Sequence, residues 1–125
     1  MTETAEVQPE QQPEDPPGAR SALRVGLACN RKKDHSSDAE AEFDEPETID
    51  AICRALTAGG YAPAVLDAAE DFPAQLRQMR PDIVFNIAEG RTGRNREAQV
   101  PAICEYYGVP FTGSDAATLS IALDK

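Results

Sequence analysis

The sequence predicts an α/β fold in which helices cover a parallel sheet of about four strands, a Rossmann-like three-layer arrangement. Short apolar runs alternate along the chain with segments whose apolar residues recur at helical spacing. Strands that alternate with helices pair in parallel and are joined by right-handed crossovers. Proline and glycine residues punctuate the same segments, which supports these boundaries.

Two strands and two helices are predicted before residue 80. Leu23 to Cys29 is a short, largely apolar run, as expected for a strand that is buried on both faces. After a polar loop, Pro46 suits the first turn of a helix, and apolar residues at helical spacing continue as far as Gly59. Tyr61 to Leu66 predicts the second strand, and Phe72 to Met79 predicts the second helix.

Two further strands and two helices are predicted after residue 80. Ile83 to Ile87 is the third strand, and Glu97 to Tyr107 has the pattern of the third helix. Proline is tolerated only near the first turn of a helix, and Pro101 lies within this pattern. The helix can therefore begin later than Glu97. Val109 to Phe111 predicts a short fourth strand, and Asp115 is expected to cap a last helix.

Residues 1–21 are predicted to be a disordered, acidic, proline-rich tail, because they offer too little apolar surface to offset their ordering entropy. Residues 22–125 are predicted to form the one folded domain. The net charge of −10 is unevenly spread: residues 1–20 and 34–50 together hold 13 of the 22 acidic residues. The rest of the chain is nearly neutral and has no basic stripe with interleaved aromatic residues, which disfavours nucleic-acid binding.

The cysteine pattern predicts reduced thiols in a cytoplasmic protein. Cys29, Cys53 and Cys104 are an odd number and include no Cys-x-x-Cys pair, so a disulfide framework or a zinc site is disfavoured. No apolar run reaches the ~18 residues that a membrane span needs, and no secretion signal is found at the N-terminus. We therefore expect neither secretion nor membrane insertion.

Ligands of such sheets lie beyond the carboxyl ends of the strands, which selects the loops 30–45, 88–96 and 112–115. The loop after the third strand is the best candidate, because it places two glycines and three arginines at the start of a helix, where backbone N–H groups favour an anion. The predicted substrate-binding residues are Glu89, Gly90, Arg91, Arg94, Arg96 and Glu97. The alternative is a solvated loop whose arginines pair with nearby carboxylates, and spacing alone does not decide between the two.

The other motifs have simpler explanations. Thr112 to Asp115 is a tight turn with a helix cap, to which a ligand contact would be an addition. The acidic run from Asp38 to Glu47 lacks the ligand spacing of a calcium loop, so we favour a flexible charged loop over a cation site. His35 has no placeable catalytic partner, and Cys29 is expected to be a buried thiol. No catalytic residue and no metal ligand is predicted, and no Walker or dinucleotide motif is present.

The strongest pattern comes from the last third of the chain. It contains Val84-Phe85-Asn86, then Glu89-Gly90, then Gly-Val-Pro-Phe-Thr-Gly-Ser at 108–114 and Asp124-Lys125. In this order and at this spacing the motifs resemble the end of the N-terminal domain of the D-alanine–D-alanine ligase family, in the ATP-grasp superfamily. The resemblance covers roughly residues 23–125 and is dense from Ile83 onward.

The resemblance implies a pre-ATP-grasp, substrate-side domain of an ATP-binding ligase that joins a carboxylate to an amine in a peptide-type bond. ATP and Mg²⁺ would serve the complete enzyme, an amino acid or peptide would be the substrate, and Lys125 would reach the ATP phosphates. The missing ATP-grasp domain or subunit and a second copy of the chain are the implied protein partners. Because the chain stops at Lys125, we expect a fragment that is inactive alone.

Two departures from the family pattern concern the substrate. Glu89 stands where the family has a loop histidine, and the family's first loop, with the glutamate that holds the amino group of D-alanine, is absent. Glu42 or Glu47 is a candidate substitute. We therefore expect a ligase-like relative that joins another amino acid or peptide. The alternatives are a standalone, non-catalytic domain that binds a small anion, an amino acid or a partner protein, and a non-functional truncation.

Overall fold

The computed structural model describes residues 22–33 and 43–122. The elements in chain order are β1 (Arg24–Cys29), α1 (Pro46–Ala58), β2 (Ala62–Asp67), α2 (Phe72–Met79), β3 (Ile83–Asn86), a 3₁₀ turn (Arg96–Ala98), α3 (Gln99–Tyr107) and α4 (Ala116–Ala122). The predicted tail at 1–21, the acidic residues at 34–42 with His35, and Lys125 lie outside the described residues. Within the described part, every helix is too short to cross a lipid bilayer.

The sheet has the order β2-β1-β3, and both pairings are parallel. Val25 lies opposite Pro63 on one side and Ile83 on the other, so β1 is the central strand. Five of its six residues are buried, because helices cover both faces of the sheet. The predicted α/β class and parallel sheet are confirmed.

The predicted fourth strand is reduced to one parallel bridge between Phe111 and Val84. Pro110 has no N–H group to donate to a ladder. The N–H of Val109 is already donated to the carbonyl of Cys104, 2.9 Å away, where it closes the end of α3. A regular strand therefore cannot extend through this segment.

Two apolar clusters hold the layers together, one on each face of the sheet. Because side chains alternate along a strand, Ala28 faces one cluster while Leu27 and Cys29 face the other. The larger cluster joins the sheet to α2 and α3, and the smaller one joins it to α1 through Ile49. Loops, and not helices, follow the strands at the carboxyl edge of the sheet.

The ends of the helices follow the expected chemistry. The helix α3 begins at Gln99 after the 3₁₀ turn, which places Pro101 in its first turn, as the sequence allowed. Asp115 accepts a hydrogen bond from the N–H of Thr118 at 2.9 Å, so the predicted cap of α4 is confirmed. Hydrogen bonds from the side chain and then the backbone of Thr118 lower the pKa of the Asp115 carboxyl.

Candidate functional site

A polar side chain stands at the carboxyl end of each strand. Asn30 follows β1, Asp67 ends β2 and Asn86 ends β3. Asn30 is 0% exposed and Asp67 is 8% exposed, although neither lies in a strand interior. Buried polar groups of this kind are tolerated when they are hydrogen-bonded. Their partners define the architecture of the site.

The side chain of Asn30 fixes the loop after β3 to the end of β1. Its Nδ2 donates to the carbonyl of Gly90 at 2.6 Å. Its Oδ1 accepts from the N–H groups of Glu89 at 2.6 Å and of Gly90 at 3.2 Å. A primary amide has two N–H donors and two acceptor positions on its oxygen. In Asn30, one donor and both acceptor positions form hydrogen bonds to the backbone of this loop.

The other side of the same loop is held by Gln99, the first residue of α3. Its Oε1 accepts from the N–H of Arg91 at 2.6 Å, and its Nε2 donates to the carbonyl of Thr92 at 2.9 Å. Between the two amides, Gly90 has φ of +91°, and a Cβ there would lie 1.9 Å from the carbonyl oxygen of Arg96. The backbone from Glu89 to Thr92 is therefore fixed on both sides.

The six residues of the predicted substrate-binding set differ in their exposure. The backbone of Gly90 is buried against Arg96. Arg91 and Arg94 are exposed, whereas the other charged members of the set (Glu89, Arg96 and Glu97) are half-buried. Arg91 lines a cleft next to this loop.

We name this concavity the α2–α3 cleft. It has a volume of about 470 Å³ and lies between the loop after β2, the start of α2, the loop after β3 and the start of α3. Its lining residues are Ala68, Glu70, Asp71, Phe72, Pro73, Arg91, Gln99, Val100 and Ile103. Five of the nine are apolar, and the charged ones are a single arginine and two carboxylates.

A second concavity, the β1–α1 cleft, has a volume of about 370 Å³. Its lining residues are Arg31, Lys32, Lys33, Asp44, Pro46, Ile49 and Asp67. Nζ of Lys33 lies 3.5 Å from a carboxylate oxygen of Asp67 and 2.5 Å from one of Glu70. Because Glu70 lines the α2–α3 cleft, the Lys33–Glu70 pair marks the place where the two clefts meet. The hydrogen bond between them raises the pKa of Lys33 and lowers that of Glu70.

Asp44 is the unusual carboxylate of the β1–α1 cleft. Its backbone pairs with the end of β1: its N–H donates to the carbonyl of Asn30 at 2.8 Å, and its carbonyl accepts from Lys32 at 3.0 Å. Its Oδ2 is buried and has no hydrogen-bond partner among the described residues. Burial raises the pKa of the Asp44 carboxyl, and a hydrogen bond from the Asn30 backbone partly opposes this. A buried acceptor without a partner suits an N–H group of a ligand.

The three cysteines are free thiols. Cys29 is 0% exposed, and burial, followed by the negative charges of Asp44 and Asp67, raises its pKa to about 12. Burial likewise raises the pKa of Cys104 to about 11. The prediction that Cys29 is buried is confirmed, and such a thiol is a poor nucleophile.

No group of three or more His, Cys, Asp or Glu side chains suited to a metal ion is found in residues 22–33 and 43–122. The described residues therefore assign no ligand to the Mg²⁺ that the resemblance implies. Lys125, the residue implied to reach ATP, lies outside them.

Sequence reasoning missed Asp67, Glu70 and Gln99 and did not assign a role to Asn30. The rule that ligands lie at the carboxyl ends of parallel strands selects the loop after β2 as well, and applying it there would have found Asp67 and Glu70. The position of Gln99 in the helix pattern predicts a solvent-exposed side chain, so sequence reasoning did not select it. Its contact with the loop is visible only in the fold.

Comparisons with known proteins show that the chain is similar in sequence to curated enzymes. No family model matches the chain. The chain is 38% identical over 71 residues to the D-alanine–D-alanine ligase of Dinoroseobacter shibae and 36% identical over 75 residues to that of Rhizobium meliloti. It is 39% identical over 74 residues to the corresponding ligase of Rhodospirillum rubrum.

These matches cover 57–60% of the chain and 22–24% of each relative. The chain thus spans about a quarter of the length of the curated relatives that it matches. Over more than half of its own length the chain is related in sequence to the D-alanine–D-alanine ligases, and the resemblance that its motifs predicted is confirmed.

Proposed function

We propose that this chain is the N-terminal, substrate-side domain of an ATP-dependent ligase of the D-alanine–D-alanine ligase type, and that it does not complete the reaction alone. The observation that carries the proposal is the fixed loop at the carboxyl edge of the sheet, within a chain related to such ligases. In parallel sheets this edge is the usual place for ligands. Residues 22–125 would form the domain, and residues 1–21 a tail.

The described residues would bind and orient the substrate. Asn30 and Gln99 hold the loop after β3 from both sides, so its charged groups would meet a ligand with little ordering cost. We assign the substrate face of this loop to the predicted set of Glu89, Gly90, Arg91, Arg94, Arg96 and Glu97. Arg91 is the member for which the geometry gives the most support, because it lines a cleft.

Asp44 is our candidate for the group that receives the amino group of the substrate. The resemblance gives that role to a glutamate in the first loop, and the sequence suggested Glu42 or Glu47 in its place. Glu42 lies outside the described residues, and Glu47 is exposed in the first turn of α1. The unpartnered Oδ2 of Asp44 supports its selection over both. A substrate ammonium would supply the missing donor and hold the carboxylate in its charged form.

The chemical step would belong to the rest of the enzyme. ATP, bound with Mg²⁺, supplies the activation of a carboxylate as an acyl phosphate, which an amine then attacks. Stabilising that transfer needs preorganised positive charge around the phosphates. Of this chain we assign only Lys125 to that task, by resemblance. The other partner would be the ATP-grasp domain or subunit.

The departures from the family pattern support a substrate other than D-alanine. Glu89 places a carboxylate where the family has a histidine, which reverses the charge available beside the substrate. Its backbone N–H donates to the Asn30 side chain at 2.6 Å, which holds the backbone of Glu89 at this loop. We propose an amino acid or a peptide as the substrate class.

The setting would be the cytoplasm, in which the three free thiols stay reduced.

A chimera tests the proposal. The chain would replace the matching segment of the Rhodospirillum rubrum ligase, and phosphate release would be measured with ATP, Mg²⁺ and a panel of amino acids. We expect amino-acid-dependent release from the chimera, its loss in the Lys125→Ala variant, and none above background from the 125-residue chain alone. Sustained ATP hydrolysis by the chain alone would refute the proposal that this chain does not complete the reaction by itself. A folded, ATP-binding chimera that is silent with every amino acid would refute the ligase assignment.

The second candidate is a standalone domain that binds a small anion, an amino acid or a partner protein without catalysis. The observation that favours it is that both clefts are formed by the described residues of this chain.

Tyr106 and Ile121 are 82% and 80% exposed and would suit a second copy of the chain. Sedimentation of the purified chain tests self-association. Tight amino-acid binding by a chain whose chimera is inactive would select this candidate.

A further inference from the structure

The strand β2 lies at one edge of the sheet, so that the side of β2 away from β1, its outer edge, has no neighbouring strand in the described part of the chain. The backbone groups of successive residues point to alternate sides of a strand. The N–H of Ala62 donates to the carbonyl of Leu23 at 2.9 Å. Further along, the N–H of Ala68 donates to the carbonyl of Cys29 at 2.7 Å, so the even-numbered positions face β1. The residues of β2 whose backbone groups face outward are therefore Pro63, Val65 and Asp67.

Two of these three outward positions are closed to a further strand. Pro63 has no N–H to donate. The backbone of Asp67 is bonded on both of its groups by the side chain of Gln75: Oε1 accepts from the Asp67 N–H at 2.8 Å, and Nε2 donates to the Asp67 carbonyl at 2.9 Å. Between them, no hydrogen bond to the outward groups of Val65 is found among residues 22–33 and 43–122.

The position of Gln75 on α2 explains this contact. Phe72 and Leu76 point into the apolar cluster, and Gln75 lies on the flank of the helix that faces the outer edge of β2. Gln78, about one turn later, lies on the same flank, and both glutamines line a concavity of about 280 Å³ between α2 and this edge. Gln78 is exposed, and its side chain forms no hydrogen bond to any residue that the structure describes. Gln75 is therefore the glutamine in register with Asp67.

We infer that Gln75 closes the outer edge of β2 by taking the place of the strand residue that would otherwise pair with Asp67. One residue of a neighbouring strand supplies the same two groups, a donor and an acceptor. Exposed strand edges pair with other chains, and proline on an edge is a common protection against this. A second copy that approached with its own β2 would have to displace both hydrogen bonds of Gln75, and Val65 alone is too little for a stable strand pair. The inference does not depend on the proposed function.

Amide hydrogen exchange of the 125-residue chain, followed by NMR, tests the closed edge without any substitution. The N–H groups of Val65 and Asp67 both point outward, but the structure gives an acceptor only to that of Asp67. Relative to its intrinsic rate, Asp67 should therefore exchange about 10-fold or more slowly than Val65. Strand ends ordinarily open more readily than strand centres, so this order is the reverse of the one that fraying produces.

Three variants assign the protection to the Gln75 amide. Gln75→Ala should accelerate the exchange of the Asp67 N–H about 10-fold or more. Gln78→Ala, the same change at an exposed position of the same concavity, should leave it unaltered. Gln75→Glu keeps the acceptor oxygen and should keep the Asp67 N–H protected. Circular dichroism shows whether each variant is folded, and Gln75→Glu decides the matter if the alanine variant is not.

Sedimentation velocity over a range of concentrations tests the consequence for pairing. Gln75→Ala should self-associate more than the wild type does, because Val65 and Asp67 are then both open to a second copy, whereas Gln78→Ala should behave as the wild type. Adding Val65→Pro to Gln75→Ala should remove the extra association. This proline takes away an outward N–H and leaves the hydrogen bonds to β1 in place.

Equal protection of Val65 and Asp67 in the wild type would overturn the inference, as would an Asp67 N–H that stays protected in Gln75→Ala. If Gln75→Ala associates no more than the wild type, Gln75 does not keep the edge from pairing. Extra association that persists with Val65→Pro would likewise place the contact elsewhere and contradict the role of the β2 edge.

Discussion

Asn30 and Gly90 lie 60 residues apart in the chain and are joined by a reciprocal pair of hydrogen bonds. The Asn30 amide donates to the Gly90 carbonyl at 2.6 Å and accepts from the Gly90 N–H at 3.2 Å. Because Asn30 is 0% exposed, no water competes for these bonds. They hold the end of β1 against the loop before Arg91, which contains the proposed substrate-binding residues.

Asn30→Asp should break this unit. The substitution keeps the shape of the side chain but replaces the donor by a second acceptor that faces the Gly90 carbonyl, and it buries a charge. We expect the free energy of unfolding to fall by about 3 kcal/mol at neutral pH. Urea denaturation followed by circular dichroism measures it.

Asn95→Asp is the matched control, since Asn95 is exposed in the same loop and its side chain does not cap the turn that follows. It should change the unfolding free energy by no more than about 0.5 kcal/mol. Equal stability of the two variants would show that the Asn30 amide does not hold the loop.

Gly90→Ala should be far more harmful than Gly93→Ala. Both glycines have positive φ, +91° and +105°, so alanine is strained at either position. At Gly90 the new Cβ would also lie 1.9 Å from the carbonyl oxygen of Arg96, whereas at Gly93 nothing lies within 4 Å.

We expect a loss of about 1–2 kcal/mol for Gly93→Ala from backbone strain alone. Gly90→Ala should lose about 3 kcal/mol or more, because the loop has to move away from Asn30. Thermal or urea unfolding of both variants gives the comparison. Similar losses at the two positions would mean that the close approach of Gly90 and Arg96 does not exist in solution.

The local features of this fold could be predicted from the sequence. The apolar run of β1, the helical spacing of α1 and the Asp115 cap depend on neighbouring residues, so pattern and propensity suffice. The fourth strand was only partly predictable, because its loss depends on a long-range competition for the N–H of Val109. The resemblance to the ligases also came from local motifs, and the relatives confirm it.

The site was less predictable, because its decisive contacts join residues far apart in sequence. Spacing selected the loop after β3 but treated its six residues as one surface, whereas in the fold Arg91 lines a cleft and Gly90 is buried against Arg96. Asn30 and Gly90 meet only when β1 and β3 lie side by side. In the sequence Asp44 is one of many acidic residues. Only the fold shows that its Oδ2 is buried without a hydrogen-bond partner.

The cysteines should differ in reactivity. Cys29 and Cys104 are each 0% exposed, and burial raises their pKa values to about 12 and about 11. Cys53 is half-buried on α1. In the folded protein at mildly alkaline pH, a chromogenic disulfide reagent should therefore label Cys53 alone, and in urea it should label all three.

Cys53→Ser is the check on this assignment, because it should abolish labelling of the folded protein and leave two reactive thiols in urea. Fast labelling of Cys29 in the folded protein would contradict the buried position that the end of β1 gives it.

Asp44→Asn should change stability in a pH-dependent way. Burial raises the pKa of the Asp44 carboxyl above its ordinary value of 3.8, so the folded protein holds this proton more tightly than the unfolded chain does. Between the ordinary and the raised pKa, stability falls as pH rises, and the penalty persists at neutral pH. The asparagine variant should therefore be more stable than the wild type at neutral pH, and the difference should shrink below pH 3.8.

Urea unfolding at neutral and acidic pH, with Asp50→Asn as a control at an exposed position of α1, measures this effect. The other carboxylates titrate equally in both proteins and cancel in the difference. A variant that is less stable than the wild type at neutral pH would show that Oδ2 of Asp44 already has a partner.

The steady-state kinetics of the chimera test the central claim most directly, because they ask whether this chain supplies the substrate side of a ligase. Phosphate release would be measured against the concentration of the best amino-acid substrate and, separately, of ATP. We predict that Asp44→Asn raises the KM for the amino acid about 10-fold or more and leaves the KM for ATP unchanged, while Asp50→Asn changes neither. An unchanged amino-acid KM, or a chimera that releases phosphate independently of any amino acid, would contradict the account.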